Sequence, residues 1–252
     1  MCYFGRDPQA VWNVAILVYV NLINYMDRST VAGMINSIKN DKDFNIQNQD
    51  TYLGLLQTAF VICYMIFAPL FGYLGDRYNR KWILLIGLTF WSLSTFIGSY
   101  MTNFWWFLVF RAFVGIGEAS YSTIAPAIIS DMYRKDERSS VLAIFYFAIP
   151  IGTGIGYMIG AGVADGTGDW RYGLRVTPIM GLIALLIIMI AMSDPPRGKV
   201  EGSHLKPTSP KEDLKALASN KSYVLSTIAF TCVTFSAGKI EHHYFMTTPD
   251  YV

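Results

Sequence analysis

Seven long runs of apolar residues divide the chain, and short polar segments separate them. A bilayer core of about 30 Å needs roughly 20 apolar residues in a helix, and most of the runs reach that length. The runs lie at residues 11–33, 52–74, 82–101, 104–129, 141–163, 174–192 and, more weakly, 223–238. The pattern predicts membrane-spanning helices rather than the core of a soluble domain.

Composition agrees with a polytopic membrane protein and excludes several other classes. Hydrophobic residues make up 53% of the 252 residues and charged residues only 15%, which is too little charge to surround seven buried runs in water. The net charge of +2 does not suit nucleic-acid binding. Cys2, Cys63 and Cys232 are few and far apart, so neither a disulfide framework nor a zinc site is expected.

Lysine and arginine in the short loops predict the orientation of the chain. Cytoplasmic loops carry an excess of these residues, and here they concentrate at the amino end and in every second loop. The basic residues of that side are Arg6, Arg77, Arg80, Lys81, Arg134, Lys135, Arg138, Arg197, Lys199, Lys206, Lys211, Lys215 and Lys221. We therefore expect a cytoplasmic amino terminus.

The domain organisation follows from a change in composition after the sixth run. Residues 1–192 are predicted to form a six-span transmembrane half-domain, and residues 193–221, with four prolines among scattered charges, a cytoplasmic linker. Within the linker, residues 210–219 are predicted to form a short amphipathic helix. Residues 222–252 then read as a truncated or divergent seventh span and tail.

Four ionisable residues fall inside the apolar runs. Asp27 and Arg28 lie in the first run, and Arg111 and Glu118 lie in the fourth. A charge at the centre of a membrane helix costs ~2.5–3.5 kcal/mol on insertion scales, so such groups normally face a bundle interior or a wet cavity. Arg111 and Glu118 are seven residues apart, on one helix face about 10 Å from each other. Asn24 extends the polar stripe of the first run.

Two interpretations of these charges stay open. In the structural interpretation, the charges form pairs that lock helices together, or, for Asp27 and Arg28, are solvated near the mouth of the bundle. The functional alternative is a cavity in which one fixed cation and one titratable acid share a surface, which is the chemistry that a proton-coupled carrier requires.

The fifth run is rich in glycine. Gly152, Gly154, Gly156 and Gly160 are predicted to let neighbouring backbones approach closely, and Pro150 interrupts the hydrogen-bond ladder. Structural packing or a hinge would explain this pattern.

A charged turn, GYLGDRYNRK, separates the second and third runs, and DMYRKDER follows the fourth. We expect Asp131, Asp136 or Glu137 to pair with Arg80 or Arg77. Exposed pairs contribute less than about 1 kcal/mol, so the network would act as a conformational latch. The latch residues are predicted to be Gly72, Asp76, Arg77, Arg80, Lys81 and Asp131.

These motifs resemble a known superfamily. GYLGDRYNRK is similar to the loop between the second and third spans of the major facilitator superfamily. Asn79 stands where that loop usually has a glycine. This departure is mild, because asparagine tolerates the left-handed conformation that a turn can require. RAFVGIGEA is similar to the superfamily's fourth-span motif. More narrowly, NYMDR, GLLQTAF and RAFVGIGEASYSTIAP together resemble the Spinster branch.

The resemblance implies an all-α membrane protein: a six-helix half of a major facilitator fold, plus a linker and a partial seventh span. It implies transport of lysophospholipids or sphingosine 1-phosphate-type lipids by alternating access, coupled to protons. The substrate-binding residues would be Arg28, Arg111, Asn24 and Tyr121, and the proton-coupling residues Asp27 and Glu118. The expected membranes are the lysosomal or late endosomal membrane, or the plasma membrane.

The superfamily has twelve spans in two halves with the substrate between them, so we expect a second six-span half or a homodimer as partner. Two other functions stay open: a transport-incompetent truncated form that binds or regulates a full-length carrier, and a carrier of a hydrophilic organic anion. An enzyme has little support, because no nucleophile and base are recognisably assembled, and His204, His242 and His243 lie in the linker or tail. No cofactor, metal or nucleic acid is expected.

Overall fold

A computed structural model describes residues 8–44, 46, 50–194 and 210–247, and every regular element within them is an α-helix. The helices are α1 (Pro8–Gly33), α2 (Ile35–Lys39), α3 (Asp50–Arg77), α4 (Arg80–Gly98), α5 (Phe104–Met132), α6 (Lys135–Thr167), α7 (Arg171–Ala191), α8 (Pro210–Ser219) and α9 (Lys221–Thr247). The predicted all-α class is confirmed, and each of the seven apolar runs forms most of one long helix.

In the described part of the chain, α3, α4, α5, α6 and α7 are long and apolar enough to cross a membrane, whereas α1 falls short of that hydropathy. The 26-residue α1 is long enough, but it carries three asparagines besides Asp27 and Arg28. Those asparagines and Asp27 are buried against other helices. The low hydropathy of α1 therefore reflects polar side chains that face the bundle rather than lipid.

Local sequence signals set several helix ends. The side-chain oxygen of Asn79 accepts from the Trp82 backbone N–H at 3.3 Å and caps α4, and that of Asn103 accepts from the Trp105 N–H at 2.8 Å and caps α5. Gly168, at φ 71°, ends α6 in the left-handed conformation. The conformational argument made for Asn79 is wrong, because its φ is −58°; the residue is needed as a cap.

The six long helices of the first unit pack as two interlocked groups. Helix α1 lies along α6 and also contacts α7, while α5 lies between α3 and α4, and α4 contacts α7. Two apolar clusters fill the bundle at different levels. One includes Leu17, Val114 and Ile188, and the other includes Met34, Phe107 and Trp170. Asp27 and Arg111 lie between these clusters along their helices.

Glycines bring α1 and α6 into contact. A Cβ added to Gly152, Gly156 or Gly160 would lie 2.6, 2.4 or 2.4 Å from the backbone oxygens of Leu22, Met26 and Thr30, respectively. The predicted close approach is thus confirmed at these three positions. It is wrong at Gly154, where a Cβ would meet nothing within 4 Å.

The chain forms two compact units, Met1–His204 and Leu205–Val252. In the second unit the structure describes α8, at the position predicted for an amphipathic helix, and the 27-residue α9. Residues 195–209 of the predicted linker lie outside the described residues. The predicted boundaries at residues 192 and 221 stay predictions.

Candidate functional site

Two ion pairs join α1 to α5 inside the bundle. Nη1 of Arg111 lies 3.3 Å from Oδ2 of Asp27, and Nε of Arg28 donates to Oε2 of Glu118 at 2.5 Å. Two consecutive residues of α1 thus face two positions of α5 that are separated by two helical turns. The structure brings together all four charges singled out in the sequence, and each pair crosses between the helices rather than following one helix face.

Asp27 is fully enclosed. Its side chain is 0% exposed, and its second carboxylate oxygen accepts a hydrogen bond of 2.6 Å from the Thr177 hydroxyl of α7. The interpretation of Asp27 as a solvated group at the mouth of the bundle is therefore wrong. The carboxylate holds three helices together at one point, and Thr177 is a partner that sequence reasoning missed.

Arg28 has a different environment. Its side chain is 25% exposed, compared with 3% for Arg111. Its guanidinium carbon lies 5.1 Å from the ring centre of Tyr25, 4.8 Å from that of Phe60 and 5.1 Å from that of Tyr64. These three rings, from α1 and α3, were not predicted, although NYMDR and GLLQTAF contain the first two.

Asn24 and Tyr121 lie beside the ion pairs. With its amide oriented to donate, Nδ2 of Asn24 is 2.9 Å from Oε2 and 3.2 Å from Oε1 of Glu118. Tyr121 is buried, and its hydroxyl donates to the backbone carbonyl of Leu17 on α1. Asn24 thus contacts the predicted charge cluster directly, whereas Tyr121 contacts the backbone of α1.

A small cavity adjoins Arg111 between α4, α5 and α7. Its lining includes Thr95, Phe107 and Leu174 besides Arg111 itself. Neither Nε of Arg111 nor the hydroxyl of Thr95 has a hydrogen-bond partner in the structure. Arg111 therefore keeps donor capacity beyond its pair with Asp27.

The predicted latch lies at the α3–α4 turn. Arg80 forms an ion pair with Asp131, as one of the predicted alternatives had it, and its Nε donates to the carbonyl of Gly75 at 3.1 Å. Asp76 is 3.9 Å from Arg80, and the Lys81 ammonium donates to the Met189 carbonyl near the end of α7.

The two remaining predicted latch residues are Arg77 and Gly72. The Arg77 guanidinium lies 4.5 Å from the Tyr73 ring centre. Gly72 has open space where a Cβ would stand, so no steric reason for a glycine appears there. Within the described residues, no group of three His, Cys, Asp or Glu side chains is arranged to hold a metal ion.

A bundle of long apolar helices that buries ion pairs between its members defines a multi-pass membrane protein. The model of the Major Facilitator Superfamily matches residues 17–252, and the chain belongs to that family. The resemblance to its Spinster branch is confirmed by relatives. The chain is 56% identical over 230 residues to Protein spinster of Drosophila melanogaster and 51% identical over 233 residues to Protein spinster homolog 1 of Homo sapiens.

These matches cover 91% and 90% of this chain, which spans 37% and 43% of the two relatives. Among solved structures, an inward-facing, unoccupied bacterial homolog of the human lysosomal transporter Spinster superposes with a TM-score of 0.68 at 24% identity. That superposition covers 82% of this chain and 47% of the bacterial one. It confirms the predicted half of a major facilitator fold.

Proposed function

We propose that the chain belongs to a lipid transporter and holds the charged headgroup of a lysophospholipid or of a sphingosine 1-phosphate-type lipid during alternating access. The observation that carries the proposal is the set of four paired charges on α1 and α5, Asp27–Arg111 and Arg28–Glu118. Apolar helices can pack without burying charge, and each buried charge is costly in a membrane. Such a cluster therefore favours a binding site for a charged ligand.

The pairing itself supports a coupling between substrate and protons. A phosphate that binds Arg28 or Arg111 competes with the paired carboxylate, because both anions accept from the same guanidinium. A carboxylate that loses its arginine is left buried without a cation, and uptake of a proton removes that charge. In this proposal the arginines bind phosphate, and Asp27 and Glu118 take up protons.

Two further residues support the cluster. Asn24 positions Glu118, since its amide is within hydrogen-bond distance of both carboxylate oxygens. Tyr121 holds α1 against α5 through Leu17, and its predicted contact with the lipid requires these helices to separate.

The latch that one transport state makes and another breaks is centred on the Arg80–Asp131 ion pair. Gly72, Asp76, Arg77 and Lys81 surround that pair.

The lipid class and the location rest on the similarity to Spinster proteins. The bacterial homolog is described as related to a human lysosomal transporter. We propose a lysosomal, late endosomal or plasma-membrane location with a cytoplasmic amino terminus. Because the chain spans about two fifths of its relatives, we also propose that a second six-helix half or a second copy completes the transport path.

The test is uptake of labelled lysophosphatidylcholine and sphingosine 1-phosphate into proteoliposomes. The chain is assayed alone and together with the second six-helix half of a Spinster relative, with and without a pH gradient. Arg111→Ala is expected to abolish uptake, and Arg134→Ala, at an exposed arginine that directly precedes α6, to leave it unchanged. Glu118→Gln is expected to remove the dependence on the pH gradient.

The outcomes separate the parts of the proposal. No uptake of either lipid in any combination, with the chain well inserted, would contradict lipid transport. Uptake that survives Arg111→Ala would remove Arg111 from the substrate site, and uptake by Glu118→Gln with an unchanged pH dependence would remove Glu118 as a proton site.

A further inference from the structure

We infer that Tyr25, Phe60 and Tyr64, together with Glu118, form a cage for the positively charged nitrogen of a zwitterionic lipid headgroup, and that Arg28 fills this cage when no lipid is bound. The inference rests on the proposed function and names the headgroup chemistry that the same site selects. It predicts that lysolipids with both a phosphate and a cationic nitrogen bind better than lysolipids with a phosphate alone.

The geometry of the rings carries the inference. All three ring centres lie within 4.8–5.1 Å of the Arg28 guanidinium carbon, well inside the range of a favourable cation–π contact. Phe60 is buried, and it stacks on Tyr64 with 6.1 Å between the ring centres. The Tyr64 hydroxyl donates to the Ser122 hydroxyl of α5 at 2.7 Å. Two of the rings are therefore fixed before any ligand arrives.

The cage combines ring faces with one carboxylate. Glu118 adds a negative charge to the cage, because its carboxylate forms an ion pair with the same guanidinium that the rings surround. Aromatic faces beside a carboxylate suit a weakly hydrated cation, and a quaternary ammonium group is the common example in recognition sites. A guanidinium fills such a cage in the absence of ligand, because it too is a weakly hydrated cation.

Arg28 is the member of the cluster that can leave. Its side chain is 25% exposed, whereas the side chains of Asp27, Arg111 and Glu118 are 0%, 3% and 0% exposed. An arginine that turns from the cage toward a phosphate leaves Glu118 and three ring faces behind. A cationic nitrogen on the same headgroup takes that place while the lipid is bound, so the number of buried ion pairs is preserved. The proton proposed for Glu118 then binds at the stage of the cycle at which neither cation occupies the cage.

Charge balance favours the same ligand. Two arginines and two carboxylates give the cluster no net charge, and a zwitterionic headgroup has none either. An anionic headgroup, such as phosphoglycerol, would occupy an arginine and leave Glu118 unpaired in a buried place, which costs free energy unless a proton is taken up. The site therefore selects against an anionic headgroup because that headgroup leaves Glu118 unpaired, and not because of the size of the headgroup.

The test compares two lipids with the same acyl chain, lysophosphatidylcholine and lysophosphatidylglycerol. Binding of each radiolabelled lipid to the purified 252-residue chain in nanodiscs is measured by competition, with empty nanodiscs as the blank. The native chain is expected to prefer lysophosphatidylcholine by roughly 5-fold or more. Tyr64→Leu is expected to reduce this preference to less than about 2-fold, because the ring face is gone.

Tyr64→Phe is the matched control, since it keeps the ring and removes only the hydrogen bond to Ser122. It is expected to keep the preference. Tyr25→Leu and Tyr25→Phe repeat the comparison at a half-buried position, in case Tyr64→Leu does not insert. Equal binding of the two lipids to the native chain, or an equal loss for both lipids in Tyr64→Leu, overturns the cage and leaves the proposed transport intact. Binding of neither lipid to this chain also overturns the cage, whereas the proposed transport is decided by the uptake assay with the second half present.

Discussion

Thr95 and Thr177 are buried hydroxyls with opposite surroundings. Thr177 donates to Asp27 at 2.6 Å, whereas the Thr95 hydroxyl has no partner. Replacement by valine keeps the shape of the side chain and removes the hydroxyl. We expect Thr177→Val to lower the free energy of unfolding by about 1–3 kcal/mol, because it leaves a buried carboxylate oxygen without its donor. Thr95→Val should leave it unchanged or raise it by up to about 1 kcal/mol, because an unpaired buried hydroxyl is lost.

The measurement is unfolding of both variants by titration with a denaturing detergent in mixed micelles. The two substitutions serve as each other's control, since they change the same atoms at two buried positions. A Thr95→Val variant as unstable as Thr177→Val would mean that the Thr95 hydroxyl is hydrogen-bonded in the folded protein, for instance to a water molecule in the cavity beside Arg111.

At the residue scale, the sequence predicted which charges lie inside the bundle but not how they pair. Arg111 and Glu118 were correctly expected on one face of a helix, since the spacing of seven residues requires it. Their partners depend on the position of α1 along α5, which no local spacing contains. The rings around Arg28 were missed for a related reason. Aromatic residues are common in membrane helices, so only the packed structure shows which of them turn toward a charge.

At the element scale, the contact between α1 and α6 depends on which face of α6 a glycine occupies. A Cβ on Gly156 would lie 2.4 Å from the Met26 backbone oxygen, whereas one on Gly154 meets nothing within 4 Å. We expect Gly156→Ala to destabilise the protein by about 1–3 kcal/mol, because backbone must move to admit the methyl group. Gly154→Ala should be neutral or slightly stabilising, since alanine is the better helix former.

The same detergent titration measures both alanine variants, and Gly154→Ala is the matched control for the change in helix propensity. A Gly156→Ala variant with native stability would show that α1 and α6 separate easily. Met26 directly precedes Asp27, so the expected shift of α1 should also weaken lipid binding in Gly156→Ala and not in Gly154→Ala.

The spacing of the glycines predicts which of them share one face of α6. Gly152, Gly156 and Gly160 repeat every four residues and share one face, but Gly154 is two residues from its neighbours, or about 200° around the helix. Its exposure follows from that angle. The capping role of Asn79 could likewise have been predicted from the sequence, because asparagine directly before a helix is a strong cap. Neither case required tertiary information, whereas the cross-helix pairing did.

At the scale of the whole molecule, the two ends of the first unit differ in charge. One end has Arg77, Arg80 and Lys81 in the α3–α4 turn. At the other, Arg171 pairs with Asp41, 2.9 Å away, and with two further acidic residues. Basic residues are retained on the cytoplasmic side during insertion, so this asymmetry favours a cytoplasmic α3–α4 turn. Six spans return the chain to the side on which it began, and the segment after α7 should then also be cytoplasmic.

Glycosylation tests this orientation. The only Asn-x-Ser/Thr acceptor in the sequence is Asn220-Lys221-Ser222, which should receive no glycan in cells because the transferase acts on the opposite side of the membrane. The substitution Gln47→Thr creates an acceptor at Asn45, between α2 and α3 in the sequence, where the same orientation predicts modification. The measurement is the gel mobility of each protein before and after removal of N-glycans. A glycan on the native chain, lost in Asn220→Gln, would invert the predicted orientation. The latch at Arg80 and Asp131 would then face away from the cytoplasm.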